Sequence, residues 1–286
     1  MQQAAVFAGP AAAGPVSNVF VPAFLALLVV YLAVRAFWWI GNQPAPVLDA
    51  VWLGEGLLKV ALWVVPCVLI TRLAFRESLA GAWRALGLHG SPARGYFFGL
   101  AATLPMAIVV VVGRSFSTSI DAIAGTVVLG PFAEEVLFRG FLFLTLRRLG
   151  WRLAPATLVS ALAFAVAHSQ AAAWLVAGGL FGLPDWLADD FWRAALSLLP
   201  FVGIGVLFAW ITHRWDSLWP AIGLHAAINL WWELSSSTQE YASLTRAFLT
   251  PLPIAHAITV VLAMALTFRA TRARRARVAH EVLLQS

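Results

Sequence analysis

The sequence predicts an all-α, polytopic integral membrane protein with about eight transmembrane helices, and three observations carry this. Of the 286 residues, 61% are hydrophobic and 11% charged, with a mean hydropathy of +0.84. A soluble domain carries roughly 25% charged residues. Many apolar runs come close to the roughly 20 residues that cross about 30 Å of hydrocarbon as a helix. Runs such as Val21–Val34 and Ala101–Val112 do not alternate apolar with polar residues, as the strands of a membrane barrel would.

Taken in order, the apolar runs between charged or Gly/Pro-rich breaks predict spans at 18–40, 52–71, 96–113, 122–146, 155–178, 194–212, 217–234 and 252–268. The whole of 1–286 is expected as one membrane domain, with a core at about 120–235 and tails at 1–17 and 270–286. The first residues lack the basic stretch of a secretory signal and are expected as a short disordered tail. The arginines test the count. Arg72, Arg76, Arg84 and Arg94 follow the second span, and Arg147, Arg148 and Arg152 the fourth. His213 and Arg214 follow the sixth, and Arg269, Arg272, Arg274, Arg275 and Arg277 the eighth. The intervening loops are poor in base, and the one at 179–193 carries Asp185, Asp189 and Asp190, read as solvated. Every second loop is therefore basic, which puts the N-terminus outside and the C-terminus in the cytoplasm. The Arg/Ala-rich composition suggests a bacterial source, hence the bacterial inner membrane.

The same distribution accounts for the net charge of +6, and no basic face with interleaved aromatics marks nucleic-acid binding, so the bilayer is the expected partner. Cys67 is the only cysteine and can make no internal disulfide. Fourteen tryptophans fit interfacial belts, and the loop 72–95 has room for a short interfacial helix around Trp83 and Arg84. Glu55 and Lys59 are i and i+4 near the outer end of the second span, where the lysine would snorkel to the interface.

Ionisable groups at mid-membrane depth are costly unless paired or hydrated, so each is a functional candidate. The fourth span carries Glu134 and Glu135, the fifth His168, and the seventh His225 with Asn229, all in one layer of the bilayer. Glu135 and Arg139 are i and i+4, acid before base, and read as a helix-locking ion pair. Glu134 points about 100° away from Glu135. His225 and Asn229, again i and i+4, aim at one point from another helix. A carboxylate beside an imidazole in a wet pocket can hold a water and take its proton as it attacks a carbonyl. A second histidine with an amide can supply donors for the oxyanion. Two histidines and a glutamate are also a catalytic zinc ligand set, although no His-Glu-x-x-His run is present.

The Glu-Glu-x-x-x-Arg run at 134–139, the Phe-x-x-x-His run at 164–168 and the His-x-x-x-Asn run at 225–229 resemble the three motifs of the CAAX prenyl protease and bacteriocin-processing family of glutamic-type intramembrane endopeptidases. The resemblance covers roughly 120–235. It implies hydrolysis of a peptide bond in a membrane-anchored protein or peptide by a water held between Glu134 and His168. It also implies an oxyanion site at His225 and Asn229, support from Glu135 and Arg139, and no cofactor, with zinc not excluded. Two readings of another kind stand beside it. Buried carboxylates and histidines also build the proton relays of coupled transporters, and such a fold can persist as a silent scaffold.

Overall fold

The computed structural model describes residues 51–112, 119–168, 191–235 and 251–285, with Phe20, Phe24, Leu25 and Leu28 as single positions before them. The tail at 1–17, nearly all of the first expected span and the three loop aspartates lie outside the described residues. Among those described there are helices and turns but no strand. We number them α1 (Trp52–Ala74), α2 (Leu79–Ala85), α3 (Pro92–Ala102), α4 (Leu104–Val112), α5 (120–148), α6 (Leu153–His168), α7 (Phe191–Trp215), α8 (Trp219–Ser235) and α9 (Pro251–Gln285). The short helix expected in the loop 72–95 is α2, started by Ser78, whose Oγ accepts from Gly81 N at 3.0 Å. Residues from 270, expected as a tail, continue α9, which runs to Gln285. Its Arg, Ala and Leu residues are strong helix formers, so nothing in the chemistry stops the helix at the span's end.

Among the described residues, three stretches are long and apolar enough to cross a membrane: α1, Leu198–Trp215 of α7 and Ile254–Arg274 of α9. The pair α3 and α4, bent by 58°, makes a fourth if it is one broken span. Eight were expected; the first, at 18–40, lies almost entirely outside the described residues, and the fifth continues beyond 168 into residues that are not described. Helix α5 is long enough but carries Glu134, Glu135 and Arg139 in its middle. The described lengths of α6 and α8 are 16 and 17 residues. The bend between α3 and α4 comes from Pro105, which has no N–H to continue the helical ladder. Thr103 closes α3 by donating from Oγ1 to Gly99 O at 2.9 Å, and accepts from Trp231 Nε1 at 2.8 Å.

The chain forms two compact units, each assembled from separated stretches. The first contains Lys59–Gly87 and Glu134–Trp210. Its core is aromatic: Trp63, Phe138, Phe141, Phe143, Phe164 and Phe208 are fully buried. Ser160 Oγ donates to Phe138 O at 2.9 Å, a bond that ties α6 to α5 where the chain is otherwise apolar. Parts of α1 and α5 have widened π turns, at Val60–Val64 and Val136–Phe143. Such turns are rare and often sit at functional sites.

The second unit contains Asp49–Leu58, Leu88–Ala133 and Ile211–Ser286. There α3 and α8 pack backbone to backbone through glycines. A Cβ on Gly99 would lie 2.0 Å from Gly223 O, and one on Gly223 would lie 2.0 Å from Gly95 O. Close approach through small residues is the usual way helices associate in lipid, where burial of apolar surface supplies little drive. Gly99→Leu is therefore expected to force α3 and α8 apart and lower the thermal midpoint in detergent, by about 1–3 kcal/mol of overpacking. An unchanged midpoint would mean that the two helices do not touch there. At the start of α1, Asp121 accepts from Trp52 N and Leu53 N, both at 3.1 Å, so a carboxylate distant in sequence caps a helix N-terminus.

Candidate active site

The glutamates of α5 are neighbours in sequence but face different partners, as their 100° separation on a helix requires. Glu134 is 5% exposed and Glu135 fully buried. Glu134 Oε2 lies 2.8 Å from His168 Nε2, and Glu134 Oε1 accepts from Lys59 Nζ at 3.0 Å. Glu135 Oε1 accepts from Arg139 Nη1 at 3.1 Å, across the predicted i, i+4 spacing. The first unit thus brings together Glu134 with His168 and Glu135 with Arg139.

His168 ends α6, and its Nδ1 lies 2.9 Å from Phe164 O. A carbonyl can only accept, so Nδ1 carries a hydrogen and Nε2 is the nitrogen left to face Glu134. Glu134 Oε2 stands within hydrogen-bond distance of Nε2 at 2.8 Å, so a proton on either atom bridges the two. The helix fixes this arrangement locally, because residues 164 and 168 stack one turn apart.

Phe164 does more than fill space. Its ring stacks on the His168 imidazole at 3.9 Å between centroids, and the Arg139 guanidinium lies 4.0 Å over it. Arg139 is fully buried, donates from Nη2 to Gly205 O at 3.4 Å, and lies 5.1 Å over the Phe208 ring. The phenyl ring is therefore an apolar spacer between a cation and the imidazole, each attracted to its face. The ring also packs in the aromatic core, and no local sequence pattern reports its contact with Arg139.

Lys59 corrects the sequence reading. It was expected to snorkel to the interface, but it is 8% exposed and its Nζ bonds to Glu134. Glu55 is one helical turn away in sequence, whereas Glu134 is 75 residues away, and no local pattern reports the second contact. The cation offsets the cost of burying the carboxylate, which would otherwise be severe.

His225 and Asn229 lie on α8, in the second unit. His225 is 6% exposed, and Asn229 donates from Nδ2 to Thr126 O at 3.0 Å. That bond uses one of the two amide hydrogens and orients the carboxamide. Thr126 sits in a third π stretch, Ile123–Leu129.

A buried carboxylate held between an imidazole and an ammonium, on apolar helices, defines the class: an integral membrane protein with an acid–base centre at buried depth. Residues 115–231 match the family model of the type II CAAX prenyl endopeptidase Rce1-like proteins, the protease family that the three motifs resemble. The match takes in Glu134, Glu135, Arg139, His168, His225 and Asn229, and leaves Lys59 outside it. No curated protein and no solved structure matches the chain significantly.

Proposed function

We propose that the chain is a glutamic-type intramembrane endopeptidase that cleaves a peptide bond in a membrane-associated protein or peptide. The observation that carries this is the 2.8 Å contact between His168 Nε2 and Glu134 Oε2 in a buried setting. A water entering between the two would lose a proton to the pair as its oxygen attacks the carbonyl carbon. The C–N bond then breaks, and the pair returns a proton to the departing nitrogen. Oxyanion donation falls to His225 and Asn229 through the third motif, and Glu135 with Arg139 holds the helix that presents Glu134. The same reading takes 1–286 as one membrane domain of eight spans in a bacterial inner membrane, N-terminus outside and C-terminus cytoplasmic.

Lys59 enters as a positioning residue. Its ammonium fixes Oε1, so that Oε2 faces the imidazole, and it supplies next to the carboxylate the positive charge that a metal would otherwise bring. Both oxygens of Glu134 are engaged, one by the Lys59 ammonium, whose charge would repel a cation at the same carboxylate. Hydrolysis is therefore expected to survive chelators. Lys59→Met should lower the thermal midpoint and, in the protein that folds, lower kcat about a hundredfold, the scale of one lost electrostatic contact at a reacting centre, with Lys59→Arg restoring part of both. Wild-type kcat in Lys59→Met would remove the lysine from the mechanism, and loss of activity in EDTA would bring the metal reading back.

The chain of Lys59, Glu134 and His168 also has the form of a proton relay, which favours a proton-coupled carrier as the second reading. Substrate-dependent proton flux in liposomes without peptide cleavage would select it.

A further inference from the structure

At the far end of α9, away in sequence from the catalytic motifs, a cavity of about 460 Å³ is lined by Arg214, Phe268, Arg269, Thr271 and Arg272. Three guanidiniums thus converge from two helices, Arg214 from the last turn of α7 and the others from α9. The described lining residues bring no carboxylate. Arg214 lies 5.0 Å over the Phe268 ring, which holds its planar group against the cavity wall. Arg274 Nη1 donates to Trp215 O at 3.3 Å, which ties α9 to the end of α7 beside the cavity. Three guanidiniums along one recess make it basic, and the guanidinium fork matches phosphate oxygens in pairs.

Depth indicates the source of the phosphate. The apolar stretch of α9 begins at Ile254 and ends at Arg274. At about 1.5 Å per residue, Arg269 and Arg272 stand roughly 22–27 Å along it, close to the thickness of the hydrocarbon layer. The arginines therefore reach headgroup level while Phe268 faces the acyl boundary. A basic pocket between helices at that level is suited to an anionic headgroup, and its size lies within the roughly 300–1,000 Å³ of small-molecule sites. We infer that Arg214, Arg269 and Arg272 form a binding site for a phosphate monoester or diester, supplied by an anionic lipid of the membrane.

The test uses the full chain in nanodiscs of phosphatidylcholine alone or with phosphatidylglycerol, and separately in phosphatidylcholine with added inorganic phosphate. The thermal midpoint is read for the wild type and for the double variant R269Q/R272Q. Phosphatidylglycerol is expected to raise the wild-type midpoint by several degrees, and most of that rise should vanish in the variant. Free phosphate alone should leave the wild type unmoved. An equal rise with free phosphate would keep the phosphate site and overturn the lipid as its source. An equal response of wild type and variant to phosphatidylglycerol would overturn the site. Neither result bears on Glu134 or His168, because no step of hydrolysis runs through these arginines.

Discussion

Arg139→Ala is expected to lower stability by about 3–5 kcal/mol, the cost of leaving a buried charge without its partner. Arg139 and Glu135 are both fully buried, so water cannot take the place of the lost guanidinium. The substitution also removes the cation from the faces of Phe164 and Phe208 and the donor from Gly205 O. Chemical denaturation in detergent would read the effect. The double variant Glu135→Gln with Arg139→Met should recover much of the loss, because no buried charge is then left alone. A folded, wild-type-stable but inactive Arg139→Ala protein would assign the arginine a chemical role instead.

Glu134→Gln is expected to abolish turnover, by about a thousandfold or more, with the fold intact. The amide keeps nearly the same volume and can still meet both neighbours: its oxygen accepts from Lys59, and its nitrogen donates to His168 Nε2. What it cannot do is take a proton from water. General-base catalysis contributes about 10²–10⁴-fold, and here the same group also orients the imidazole. Loss of activity together with loss of fold would make the result uninformative about chemistry, so the thermal midpoint is read beside the rate and should stay near the wild-type value.

Much of this centre was legible because its spacings are helical. Glu135 with Arg139, and Phe164 with His168, each sit one turn apart, and the structure closes the first as an ion pair and the second as a stack with a carbonyl bond. The meeting of Glu134 with His168 followed from two charged groups at one depth needing each other in an apolar layer. The contact of Lys59 with Glu134 was not legible, because a pattern within one helix cannot report a residue 75 positions away. The π turns were invisible for a related reason: they depend on how α1 and α5 accommodate buried groups, not on residue type. The fourth expected span runs through Glu134, Glu135 and Arg139, which within the fold pair with Lys59, His168 and one another. Arg269 and Arg272 read as a topology signal, and only the position of Arg214 on another helix turns them into the wall of a cavity.

The most direct measurement compares the termini of membrane proteins in host cells carrying the wild-type chain with those in cells carrying Glu134→Gln at equal expression. A small set of new termini, present with the wild type, is expected to disappear in the variant and to mark the substrate by its cleavage site. An unchanged set of termini, in cells where Glu134→Gln is stably folded in the membrane, would contradict peptide hydrolysis at this centre.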